Sequence, residues 1–286
     1  MIACRRAKRI TSMETKERLW RLDKAAFGAA FLGVAALLYG IACLLQDDFV
    51  IMGRPVPENL ALRQALAYIL AGSLVIGGAG LLRARTVRPA ALLLIVHFGV
   101  YALCYLRALI GPPLETNAVM GLAEQSSVAV GAWAVLLNLR DGSQFGATAA
   151  RVTFGLCSLV FALAHFVARV PTASAVPDWM PGGQIFWALA TGFGHLAVGL
   201  ALIANRVAVP AARMGALMYV CFVVFVWLPG AFAHPTEWPR WAGAAFSLCM
   251  AGALWTVGDL LFARRYAATT AQRYTPEISA KTLASG

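Results

Sequence analysis

Eight stretches of roughly 20 residues, rich in apolar side chains and poor in charge, run through this chain. They lie near 25–46, 61–82, 89–110, 121–139, 151–170, 184–204, 210–233 and 240–262. A helix rising about 1.5 Å per residue crosses the ~30 Å hydrocarbon layer in about 20 residues. Lipid offers no partner for an exposed backbone amide, so each stretch must be a helix or a strand of a closed barrel. The alternating pattern of barrel strands is absent. The expected fold is therefore all-α, a polytopic membrane protein of about eight transmembrane helices. Composition agrees: 60% of the 286 residues are hydrophobic and 13% charged. A soluble domain of this length cannot hide so much apolar surface.

The formal net charge of +11 does not point to nucleic acid, because the basic residues gather at the ends of the apolar stretches. With eight spans, one side receives the tail residues Arg5, Arg6, Lys8, Arg9, Lys16, Arg18, Arg21 and Lys24, then Arg83, Arg85, Arg88, Arg140, Arg151, Arg206 and Arg213, then Arg264, Arg265, Arg273 and Lys281. The other side receives Arg54, Arg63, Arg107, Arg169 and Arg240. That asymmetry puts both termini in the cytoplasm. The segment before the first span is too long and too charged for a signal-peptide n-region, so the first span reads as a retained helix. The expected organisation is a basic cytoplasmic tail over 1–24, four-helix membrane units over 25–140 and 151–262, and a cytoplasmic tail over 263–286. The polar end from Ala267 onward reads as disordered or loosely attached.

The two units echo one another at a spacing of 122 residues: Pro55 with Pro177, Gly72 with Gly194, Gly77 with Gly199, Pro113 with Pro235, and Trp133 with Trp255. A duplicated four-span unit keeps its orientation, which gives two parallel repeats about an axis along the membrane normal. Gly28, Gly33, Gly40, Gly72, Gly192 and Gly194 are candidates for close helix approach.

Ionisable side chains inside spans are costly and draw a functional hypothesis. His97 and His195 both fall near mid-depth. Each can be satisfied by a neighbouring helix, or can bind a ligand or handle a proton. His165 and Arg169, four apart, share one helix face. Arg169 can snorkel to the headgroups, or the pair can line an outward pocket and donate to an oxygen-rich ligand. Arg107 and Glu124 flank an outer link and are expected to form a structural ion pair, with Arg63 as a competitor for Glu124. Asp259 is expected to meet Arg264, Arg265 or water. Trp179, Trp187, Trp238 and Trp241 gather at the outer boundary as an interfacial belt or a stacking wall for a ligand. No spacing places two His or Cys ligands on one helix turn, so no metal site is expected. Haem between two mid-depth histidines is disfavoured. The six cysteines include no C-x-x-C pair and read as packing residues. Channel filters, acidic relays, and hydrolase, kinase or dinucleotide fingerprints are missing.

The stretch from Phe154 to Val220, with "FALAHFVARVPTASAVPDWMP" and "TGFGHLAVGLAL" followed by a basic link and "PAAR", resembles the DoxX-like family of small bacterial membrane proteins. The match covers roughly 151–233 and extends faintly to the last span and, through the repeat, to the first half. The resemblance implies a four-helix unit in the bacterial inner membrane and an association with quinone-linked redox systems. It draws attention to His165, Trp179 and His195. The functional expectation is a quinone-linked subunit with membrane or redox partner proteins. The alternatives are a non-enzymatic binder or transporter of a lipid or small amphiphile, and a scaffold or assembly subunit. The lipid bilayer is the one partner the composition itself names; the cofactor is unknown, with quinone the candidate.

Overall fold

The computed structural model describes residues 27–50, 56–109, 116–139 and 144–283. All regular structure there is helical. Eight helices are long and apolar enough to span a membrane: α1 Phe27–Gln46, α2 Arg63–Leu81, α3 Val87–Ala108, α4 Thr116–Leu139, α5 Gln144–Val167, α7 Gln184–Ile203, α8 Ala208–Ala233 and α9 Trp238–Leu283. A short helix, α6 Arg169–Ala173, follows α5. The protein is therefore an all-α, multi-pass membrane protein, as the apolar pattern requires.

Neighbours in sequence pack as neighbours in space, α2 on α3, α3 on α4, α4 on α5, α5 on α7, α7 on α8, and α8 on α9. α1 closes the ring by lying between α2 and α9. Gly33 and Gly40 set its backbone against Gly78 and Ala71 of α2, while Gly252 of α9 rests on Leu32. α4 and α9 also cross the middle and touch each other. There a Cβ at Gly131 would overlap Ala253, and the Thr256 hydroxyl donates to the Gly131 carbonyl at 2.8 Å. Elsewhere the Tyr105 ring covers Gly121, and the Trp227 ring covers Gly243. Gly72 alone among the six glycines proposed for close approach faces open space. Its side of α2 has no helix against it among the described residues.

Helix ends depart from the hydropathy pattern for identifiable reasons. α5 begins seven residues before the apolar stretch and swallows Arg151, which is buried. Its guanidinium donates to the carbonyls of Leu202 and Ile203. These carbonyls lie in the last turn of α7; that of Leu202 also accepts from the Asn205 amide at 3.2 Å, and a carbonyl's second lone pair remains for the guanidinium. Pro171 lacks an amide proton and crowds the carbonyl of Val167, and the helix breaks at Ala168, φ −100° and ψ 40°. In α8, residues Val223–Trp227 form a π-helical turn, with the Leu228 amide donating to the Val223 carbonyl. Pro229 follows; a widened turn gives its ring room against the carbonyl of Phe225. α9 continues through the polar segment to Leu283, 46 residues in all. The polar end from Ala267, expected as disordered or loosely attached, is helical as far as Leu283.

The bundle has two faces. A loop face carries residues 47–50 and 56–62 and the links 174–183 and 234–237. Two tryptophans there use the same device: the indole N–H of Trp187 donates to the Pro181 carbonyl at 2.7 Å, and that of Trp241 to the Pro235 carbonyl at 3.1 Å. At the last link, Arg240 hydrogen-bonds Glu237 and holds its carboxyl below the usual carboxylate range. A basic face carries the links 82–86 and 204–207 and the outward run of α9.

Candidate polar site within the helix bundle

Gly192 is where the site begins. Without a side chain there, α7 accepts α5 so closely that a Cβ would lie 2.9 Å from the Cβ of His165. His195 stands three residues further along α7, on the same face. The two imidazoles consequently meet, ring centroids 5.0 Å apart. His195 is buried, and its ring also touches Phe161 of α5 at 5.4 Å, and Tyr219 and Phe222 of α8 at 5.5 Å and 6.2 Å. One cluster therefore draws side chains from α5, α7 and α8.

The hydrogen bonds assign the ring tautomers. His165 Nδ1 lies 2.8 Å from the Phe161 carbonyl oxygen. A carbonyl only accepts, so Nδ1 carries the proton, and in the neutral ring Nε2 is an acceptor. The same logic holds for His97 in α3. The Ser73 hydroxyl gives its single proton to the Leu70 carbonyl at 2.6 Å. Its oxygen, 2.7 Å from His97 Nδ1, must therefore accept from that ring nitrogen. His97 is buried between Phe98 and Tyr101, and its Nε2 has no hydrogen-bond partner among the described residues.

Of the residues singled out by sequence, His165 and His195 come together. His97 occupies a separate environment beside α2. Arg169 does not share a continuous helix with His165, because the break at Ala168 intervenes; it is exposed. Trp179 is 61% exposed on the loop face, and Trp187 packs on Phe186, so neither stacks over the histidines. The side chain of Arg107 lies outside the described residues, and with it the expected pair with Glu124. Arg63 does not compete for Glu124: it grips Asp48 through two nitrogens at 2.9 Å and 3.1 Å. Asp259 pairs with Arg213 of α8, not with Arg264 or Arg265. That guanidinium also covers the Trp255 ring at 4.1 Å. Sequence reasoning missed Tyr219 and Phe222. Tyr219 sits 24 residues after His195, as His97 sits 24 after Ser73, and that equal spacing was the available signal.

No group of three His, Cys, Asp or Glu side chains suited to a metal occurs among the described residues. Compared with known proteins, the chain matches no family model, no curated protein and no solved structure.

Proposed function

We propose that the second half of the bundle binds the hydroxyl-bearing head of a membrane-soluble amphiphile, a quinol first among them, and that the protein serves as a quinone-linked membrane subunit. The observation that carries this reading is the His165–His195 pair, with His165 Nε2 left as an acceptor beside His195, whose ring packs on Phe161, Tyr219 and Phe222. A phenolic hydroxyl can donate to that nitrogen, while the neighbouring aromatic side chains suit a ring. Arg169 and Trp179 have no part in it.

The same proposal keeps the DoxX-like resemblance, a bacterial inner-membrane location and cytoplasmic termini. The parallel duplication belongs with it. Support for the duplication comes from positions 122 apart that play matching roles: Tyr105 over Gly121 as Trp227 over Gly243, and Gly131 against its own counterpart Ala253. A scaffold role is favoured by a different observation, the Ser73–His97 bond that joins α2 to α3.

The test is purification in mild detergent with native lipids, followed by mass spectrometry of small molecules and titration with a short-chain ubiquinol. Wild type should retain or bind the quinol. His165→Phe should weaken binding roughly tenfold, as expected for a lost hydrogen bond to a buried group. Arg169→Gln should bind as wild type does. A lipid-replete preparation that neither carries nor binds quinone or quinol overturns the proposal.

A further inference from the structure

On the basic face, away from the histidines, α5, the α7–α8 link and α9 line an open cavity of about 230 Å³. We propose that this cavity binds a phosphate group, carried by an anionic lipid or free in solution. Three guanidiniums line it, those of Arg151, Arg264 and Arg265, together with the side chains of Gln144 and Thr148. No carboxylate is among the described residues that line it. Its volume equals that of roughly eight waters at about 30 Å³ each, the scale of a headgroup and not of an acyl chain.

The arginines are held in place by backbone carbonyls, with no ion pair to an acid among the described residues. Arg151 is anchored by the carbonyls of Leu202 and Ile203. Arg264 reaches the Leu137 carbonyl at the end of α4, at 3.3 Å. Arg265 reaches the Asn205 carbonyl at 3.1 Å. Each contact uses part of a five-donor fork and leaves the rest. The Nε of Arg264 is buried with no hydrogen-bond partner among the described residues. Arg151 and Arg265 are near enough to act on each other electrostatically, and like charges so placed repel. An anion between them removes that repulsion and supplies oxygens to the free N–H groups. Guanidinium forks match phosphate oxygens in pairs, and basic pockets between membrane helices take lipid headgroups in this way. Arg213, on the same face, shows the contrast: it is already neutralised by Asp259 and lies outside the cavity.

The experiment uses the full chain in phosphatidylcholine nanodiscs, with and without phosphatidylglycerol, read by native mass spectrometry. A parallel arm titrates inorganic phosphate into the phosphatidylcholine discs. Arg264→Gln/Arg265→Gln is compared with Arg83→Gln/Arg85→Gln, which removes equal charge from an exposed link on the same face. Retention of phosphatidylglycerol should fall roughly tenfold in the first variant and stay unchanged in the second. Arg265→Gln alone, at an exposed position, should move the same way without loss of fold. Loss confined to the phosphate arm supports the site and identifies free phosphate as the ligand. Binding of neither probe by wild type, equal loss in both double variants, or binding unaffected by the cavity variant each overturns the proposal.

Discussion

A methyl group at Gly131 would run into the backbone of Ala253 across the α4–α9 crossing. No side-chain rotation relieves that overlap, so the helices must separate. Gly131→Ala should cost about 1–3 kcal/mol, seen as a lower thermal midpoint in detergent. Gly72→Ala is the matched control: with open space around it, the added methyl should be neutral or stabilise by about 0.5–1 kcal/mol, since alanine loses less entropy in a helix. Sequence alone singles out Gly72 for close approach and passes over Gly131, because an apolar stretch does not say which of its faces meets a neighbour. At Ser73 the argument is electronic. Ser73→Ala leaves the His97 Nδ1 proton buried without its acceptor, next to an Nε2 that already has no partner. A loss of about 1–3 kcal/mol is expected, and Ser73→Thr, which keeps the oxygen, should recover most of it in the same melt.

Between elements, the bond that matters most is electrostatic. Arg213 of α8 and Asp259 of α9 meet beside Trp255, with Asp259 buried and Arg213 also donating to the Trp255 carbonyl at 2.9 Å. Removing the carboxylate strands a guanidinium at the bundle's edge. Asp259→Ala should destabilise by about 3 kcal/mol, and the apolar double replacement Arg213→Met/Asp259→Leu should return much of that. A double variant no better than the single one, in denaturant titration, would contradict this account. The hydropathy pattern placed every one of the eight spans but misplaced several ends. It cut α5 at Arg151 because a charge looks like a boundary; the carbonyls in the last turn of α7, invisible in the α5 sequence, accept from that guanidinium and make the charge welcome.

For the whole molecule, the charge asymmetry sets the expected orientation. A fluorescent protein fused after Gly286 should fold and fluoresce in the cytoplasm, and alkaline phosphatase inserted in the 174–183 link should be active on the opposite side. The reverse pattern would sink the assignment of the basic face to the cytoplasm. The number of spans and their helical state follow from sequence alone, because lipid demands a fixed apolar length and a backbone that satisfies itself. Which polar groups meet does not follow. His165 finds His195 through Gly192, Tyr219 closes on His195 from α8, and Arg213 takes Asp259 from the nearer arginines. Those choices depend on how far each helix turns about its own axis and how closely its neighbours approach. Hydropathy carries no term for either, and only side chains packed in three dimensions decide them.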